Sequence, residues 1–262
     1  MMNDSGDMFD YVIVGSGVAG ALVARELASK NNRVCVLEAG GSVDRSEAVQ
    51  RYRTSLVRDL TAPYPVWSWT SNPDSASVSS YFGKHSSHDY RPSYLKQVGG
   101  TTWHWTGMTP RFLPADFALQ TNYGVGVDWP ISYETLEPFY LKAEYLLGVS
   151  GDSSDHHGSP RSGDYPMSPI SMPYSDRVVA ERLAKFDIPV KVFPAARNSQ
   201  QYNDRPQCCG NNTCTPICPI GAQYSADTDM SNAVRLGATL IQQATVYRFE
   251  LNQNNSIAAV HY

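Results

Sequence analysis

The chain has 262 residues, 42% apolar and 18% charged, which is the composition of a globular protein with one large domain or two smaller ones. Its formal net charge of −4 argues against nucleic acid or an anionic membrane surface as a partner. The opening Met-Met-Asn-Asp-Ser-Gly-Asp lacks the basic and apolar regions of a secretory signal, and no apolar run approaches the roughly 18 residues of a membrane helix, so membrane association is expected only through a partner.

The first element is a short apolar strand, Tyr11 to Val14. Gly15, Gly17 and Gly20 follow in G-x-G-x-x-G spacing, then a helix from Val18 to Ser29 and a second strand, Arg33 to Leu37, ending in Glu38. The order strand, glycines, helix, strand, acid has a mechanical meaning. Gly15 permits the tight turn, Gly17 lets a pyrophosphate approach the backbone, and Gly20 lets the helix pack on the strand. The helix N-terminus then faces the phosphates, and Glu38 binds ribose hydroxyls. This predicts an adenine dinucleotide site and leaves NAD and FAD both open. Cys35, between Val34 and Val36, reads as a small buried residue of the second strand.

Residues 41 to 98 read as irregular, with helical character only around Ser46 to Leu60 and an aromatic, proline-containing loop at Asp59 to Trp69. His85 and His88 lie in a polar stretch without an accompanying Cys or carboxylate cluster and read as solvated. The next informative stretch is Gln-Val-Gly-Gly-Thr-Thr-Trp-His-Trp. Gly99 and Gly100 allow backbone to approach a flat ligand, Thr101 and Thr102 offer hydroxyls, and Trp103 and Trp105 bracket His104. A flavin face and a tight turn with packed aromatics are equal readings of this stretch alone.

Ser132 carries a capping signal for a helix whose stripe of Leu136, Tyr140, Ala143 and Leu147 predicts core packing, with Gly148 as its C-cap. His156 and His157 fall in a Ser/Gly/Pro-rich connector and read as solvated. A helix is expected over Asp176 to Phe186, a strand over Pro189 to Phe193 and a helix over Ser225 to Leu236. Strands are expected over Ala238 to Gln242, Val246 to Leu251 and Ser256 to His261, the last two joined by a turn at Asn252 to Asn255.

Four of the five cysteines cluster as Cys208-Cys209-x4-Cys214-x3-Cys218-Pro219. Structural zinc usually draws ligand pairs from separated knuckles, which disfavours it here. Vicinal cysteines bridge each other poorly. Cys-x3-Cys-Pro echoes bacterial ferredoxins. The spacing leaves an iron–sulfur cluster, zinc, and a disulfide or free thiols open.

Taken together, the chain resembles the glucose–methanol–choline (GMC) oxidoreductase family. More narrowly, it is similar to the large subunits of bacterial membrane-associated sugar and polyol dehydrogenases of the glucose, fructose and sorbitol type. The carrying residues are Gly15, Gly17, Gly20 and Glu38, the Val-Gly-Gly-Thr-Thr-Trp-His-Trp stretch, Tyr123-Gly-Val-Gly, Ala196-Arg-Asn-Ser and the cysteine loop. The resemblance implies FAD rather than NAD, with Gly99, Gly100, Thr101, Thr102 and His104 beside it and a covalent flavin bond at His104 as a hypothesis. It implies a 3Fe-4S cluster on three of the four clustered cysteines, read as Cys208, Cys214 and Cys218 with Cys209 as their neighbour. It also implies a multihaem cytochrome c subunit, a small subunit carrying the export signal, and a location on the periplasmic face through these partners.

The expected fold is α/β, a Rossmann-like βαβ start with a β-hairpin and loop-rich, partly helical insertions, forming an incomplete two-domain GMC fold. The expected organisation is a βαβ unit at 9–45, a flavin-contacting loop region at 46–112, an insertion with the cysteines at 113–224 and a return to the first domain at 225–262. The family's catalytic His with its His or Asn partner has no counterpart in this chain, so no catalytic residue is assigned. His261, in a hairpin strand, is not pressed into the role. The chain reads as the N-terminal half of such an enzyme, inactive by itself. The alternative is a non-catalytic flavin- or zinc-binding protein formed by this half alone.

Overall fold

The computed structural model describes residues 8–68 and 95–262. The chain divides into two compact units, Met1–Trp105 with Thr215–Pro219 and Ser225–Tyr262, and Thr106–Cys214 with Ile220–Tyr224.

The first unit begins as predicted. Strand β1 (Tyr11–Val14) leads through the glycine turn into helix α1 (Val18–Ala28) and strand β2 (Val34–Leu37). Helix α2 (Arg45–Thr54) follows, capped by the Asp44 side chain on the Glu47 amide. Among the described residues the parallel sheet has the order β1-β2-β3, where β3 is Thr239–Ile241, with Val12 beside Cys35 and Cys35 beside Thr239. The middle strand β2 is buried throughout, as a run of Val, Cys, Val and Leu requires. β1 is an edge strand with Val14 53% exposed. Cys35, Leu37 and Ala244 form one core cluster. Ala48, Tyr64, Leu95, Trp103 and Ile217 form another. The hairpin of β4 (Arg248–Leu251) and β5 (Ile257–His261) closes on the expected turn, where the Asn252 side chain accepts from the Asn254 and Ser256 amides. His261 there lies 3.0 Å from Glu250.

The second unit contains helices α3 (Leu119–Tyr123), α4 (Tyr133–Leu147) and α5 (Tyr174–Ala184). Helix α6 (Asp227–Arg235) belongs to the first unit and packs on α1, tied by the Arg25–Asp229 ion pair at 2.6 Å. Ser132 and Gly148 cap α4 as expected. Its buried face differs from the predicted stripe. Leu147 is buried, but Leu136, Tyr140 and Ala143 are half-buried, and Glu137 and Glu144 lie inside. Arg111 reaches both glutamates at 2.8 Å, and Arg161 reaches Glu144 at 2.6 Å, so the buried carboxylates are paired. The strand expected over Pro189 to Phe193 does not form. The segment is mostly exposed, and pairing begins only at Ala195, which bridges Met108 and Ser150 after Pro194.

Candidate functional site

The glycine turn is held from three directions. Within the first unit, the Ser16 amide and hydroxyl donate to Glu38 Oε2 at 2.8 and 2.6 Å, and the Gly40 amide donates to Oε1 at 2.8 Å. Glu38 is 6% exposed, yet Oε1 carries a single donor and retains an accepting site. A Cβ on Gly20 would run into the Gly15 carbonyl, while Cβ atoms on Gly15 and Gly17 would meet nothing within 4 Å. The packing demand therefore falls on Gly20, and the open side of the turn falls on Gly15 and Gly17. The N-cap of α1 is Gly17, which makes no side-chain cap, so no N-cap side chain occupies the first-turn amides.

The second stretch packs against this turn. The Gly99 amide donates to Ser16 Oγ at 3.2 Å, and a Cβ on Gly100 would lie 3.6 Å from Gly17 Cα. Val98 is fixed by a bond from its amide to the Gly41 carbonyl at 2.9 Å. Gly99 has φ +88°, and a Cβ there would lie 2.7 Å from the Asp227 amide, so glycine is required on two counts. Thr102 Oγ1 donates to the Gly99 carbonyl and accepts from the Ala226 amide at 2.9 Å, and Trp103 Nε1 donates to the Val98 carbonyl. Thr101 is exposed, with its hydroxyl accepting from the Leu95 amide at 3.3 Å. Sequence-predicted Gly15, Gly17, Gly20, Glu38, Gly99, Gly100, Thr101 and Thr102 thus form one contiguous region of the first unit. His104 ends the stretch, buried, with its ring edge-on to Tyr64 at 6.1 Å. His85 and His88 lie outside the described residues.

Sequence reasoning missed Ser16, Arg45, Tyr64 and Asp227. Arg45 lies over the Trp103 ring at 4.3 Å and 3.7 Å from the Asp227 carboxylate. Burial pushes the Asp227 carboxyl above the usual range, with Arg45 opposing it, and one of its oxygens is buried without a hydrogen bond. Burial likewise pushes the Tyr64 phenol up.

The cysteines are all free thiols. Cys35 is 2% exposed, and burial raises its pKa, as its position in β2 predicts. In the second unit, the Gly210 amide approaches Cys208 Sγ at 3.5 Å, Asn211 Nδ2 donates to Cys209 Sγ at 3.1 Å and Arg197 Nη1 donates to Cys214 Sγ at 3.4 Å. Cys218 belongs to the first unit, where it is buried. These donors reach the sulfurs, the kind of outer contact that surrounds sulfur ligands in iron and zinc sites. Among the described residues no three His, Cys, Asp or Glu side chains gather closely enough to hold a metal ion, so ligation requires the thiols to draw together. Of the tandem histidines in the second unit, His156 is exposed as expected. His157 is half-buried, its ring 5.4 Å from Phe193.

Comparison with known proteins agrees with this geometry. The NAD(P)-binding Rossmann-like domain family matches residues 13–56, the glycine turn through α2. The large subunit of fructose dehydrogenase from Gluconobacter japonicus is 38% identical over 97% of this chain and 48% of its own length. The flavoprotein of gluconate 2-dehydrogenase from Pantoea cypripedii is 25% identical over 74% of this chain and 36% of its own. Pyridoxine 4-oxidase from Mesorbium loti shares the fold with a TM-score of 0.51 at 18% identity, over 97% of this chain and 45% of that one. The chain spans less than half the length of each of these relatives. No described helix is long and apolar enough to cross a membrane. By sequence and by its Rossmann-like parallel sheet, the chain is a homologue of the flavoprotein large subunits of GMC-type dehydrogenases.

Proposed function

We propose that this chain supplies the FAD-binding part of a dehydrogenase subunit that oxidises the CH–OH group of a sugar, polyol or sugar acid. The observation that carries the reading is the packing of the Gly99–Gly100 stretch directly onto the Gly15–Gly17 turn through Ser16. A nicotinamide site needs only the turn and the acid, whereas a second glycine pair against the same turn suits a larger flat cofactor. The amides at the start of α1, which no N-cap side chain occupies, bind the pyrophosphate. Glu38 Oε1 takes a ribose hydroxyl while Oε2 keeps the turn in shape. Gly99, Gly100, Thr101 and Thr102 form the wall along the cofactor. When bound, FAD accepts the hydride that the substrate carbon gives up.

The finer reading follows the cysteines. Cys208, Cys214 and Cys218 hold a 3Fe-4S cluster, with Cys209 as the exposed neighbour, and electrons leave through it to a multihaem cytochrome c subunit. The relative named as a large subunit supports assembly with further subunits. Export with a small signal-bearing subunit would bring the complex to the periplasmic face. His104, buried at the end of the wall, is the site of a covalent flavin bond in this reading.

The test is anaerobic titration of the intact subunit complex with fructose, sorbitol, glucose and gluconate. The reading expects one of them to bleach the flavin absorbance, and expects an iron–sulfur signal by electron paramagnetic resonance. A flavin that no polyhydroxy substrate bleaches would sink the enzyme assignment. Zinc bound in place of iron at the cysteines, with no iron–sulfur signal, would sink the cluster. Mild acid denaturation that releases all flavin would exclude the bond at His104.

A further inference from the structure

In the first unit, side chains hold the segment Thr215 to Cys218 against the end of the glycine–tryptophan stretch. The Thr215 hydroxyl donates to the His104 carbonyl at 3.0 Å. The Tyr64 hydroxyl donates to the Pro216 carbonyl at 2.6 Å. Arg45 Nη1 donates to the Cys218 carbonyl at 3.1 Å, and its Nη2 donates to the Ser225 hydroxyl at 2.7 Å. Ile217, 1% exposed, is buried in one cluster with Tyr64 and Trp103, and the Arg45 guanidinium covers the Trp103 ring.

This segment is poor in its own means of attachment. Pro216 and Pro219 have no amide hydrogen, so backbone pairing is curtailed and side chains must satisfy the buried carbonyls. Arg45 is also misplaced for its own helix. It is the first residue of α2, where the positive end of the helix dipole disfavours a cation. Its contacts with Cys218, Ser225, Asp227 and Trp103 give the guanidinium a role outside α2.

We propose that Arg45 and Tyr64 are positioning residues for Cys218, latching its backbone to the Trp103–His104 stretch so that this thiol keeps a fixed place relative to the proposed flavin wall. The redox consequence rests on the proposed function. The latch itself does not, and the experiment separates the two.

In the full chain, reduced and stripped of iron by a chelator, the alkylation rate at each cysteine is followed by mass spectrometry. Cys35, buried in β2 of the same unit, is the internal standard for loss of the fold. Arg45→Met is expected to speed alkylation of Cys218 by about tenfold with Cys35 unchanged, because a charged hydrogen bond to its carbonyl is lost and the segment opens locally. Arg45→Lys, which keeps the charge and one donor, should recover part of the protection. Tyr64→Phe, which keeps the ring and removes only the hydroxyl, should speed Cys218 by a smaller factor. Unchanged Cys218 reactivity in both Arg45→Met and Tyr64→Phe would overturn the latch, as would equal acceleration at Cys35 and Cys218 in both. In the iron-loaded complex, the same variants should shift the cluster's reduction potential. A wild-type complex with no cluster signal would reject the iron–sulfur reading while leaving the alkylation result to stand for the latch.

Discussion

Glu38 and Gly20 illustrate how differently single residues shape the proposed dinucleotide site. Gly20 acts by having no side chain. Gly20→Ala would drive a methyl into the Gly15 carbonyl, and should lower stability by about 1–3 kcal/mol in a denaturant titration and weaken FAD binding in parallel. Glu38 acts through charge. Glu38→Gln keeps the shape but replaces charge-assisted acceptance from Ser16 and Gly40, a loss of about 1–2 kcal/mol in the same measurement. The two glycine motifs were legible in the sequence because positive φ at Gly15, Gly99 and Gly100 and close backbone packing at Gly20 favour glycine there, and the acid because it closes the same local strand–helix–strand pattern. Ser16, Arg45 and Tyr64 were not legible, because their roles depend on partners far along the chain. Tyr64 bonds the carbonyl of Pro216, 152 residues away, and no local pattern marks such a pair.

At the scale of elements, α4 shows periodicity predicting a helix correctly and its buried face incompletely. The caps at Ser132 and Gly148 are local chemistry and were readable. The inward turn of Glu137 and Glu144 depends on Arg111 and Arg161, which arrive from other segments. Arg111→Met leaves Glu137 without its cation and Glu144 with Arg161 alone, and should cost about 3 kcal/mol, read as a lower denaturant midpoint. The network also sets an acid limit. Burial works against the charged form of Glu137, but the Ser162 amide, Arg111 and the Ser162 hydroxyl outweigh it and hold the carboxyl below its ordinary value of 4.5. The stability it contributes is complete above the unfolded-state value and is lost as pH falls below about 4.5, through the lower folded value. Unfolding midpoints measured across this range should fall for the wild type and fall less for Glu137→Gln. The expected strand over Pro189 to Phe193 failed for the complementary reason: its residues suit a strand, but among the described residues no strand pairs with them, and a β-propensity without a partner has nothing to pair with.

For the whole molecule, the parallel order β1-β2-β3 was readable in outline, since a βαβ start followed much later by a helix and a third strand is how such sheets grow. The division into two units was harder to read, because the chain leaves the first unit at Trp105, returns for Thr215–Pro219, leaves once more and returns at Ser225. The cysteine loop is cut by that division, with Cys208, Cys209 and Cys214 in one unit and Cys218 in the other. The 262 residues match 48% of the fructose dehydrogenase large subunit. Produced as this stretch alone, the protein should neither reduce dyes with sugars nor retain FAD through gel filtration. Sugar-dependent dye reduction by this stretch would refute that expectation.

Ser16 has a consequence for engineering. Its hydroxyl is a relay, giving a hydrogen bond to the acid at the end of β2 and taking one from the amide that opens the second glycine pair. Attempts to retune cofactor preference by exchanging residue 38 alone would break a joint of the scaffold along with the proposed ligand contact. Positions 16, 38 and 99 form one hydrogen-bonded joint, to be exchanged together or left in place.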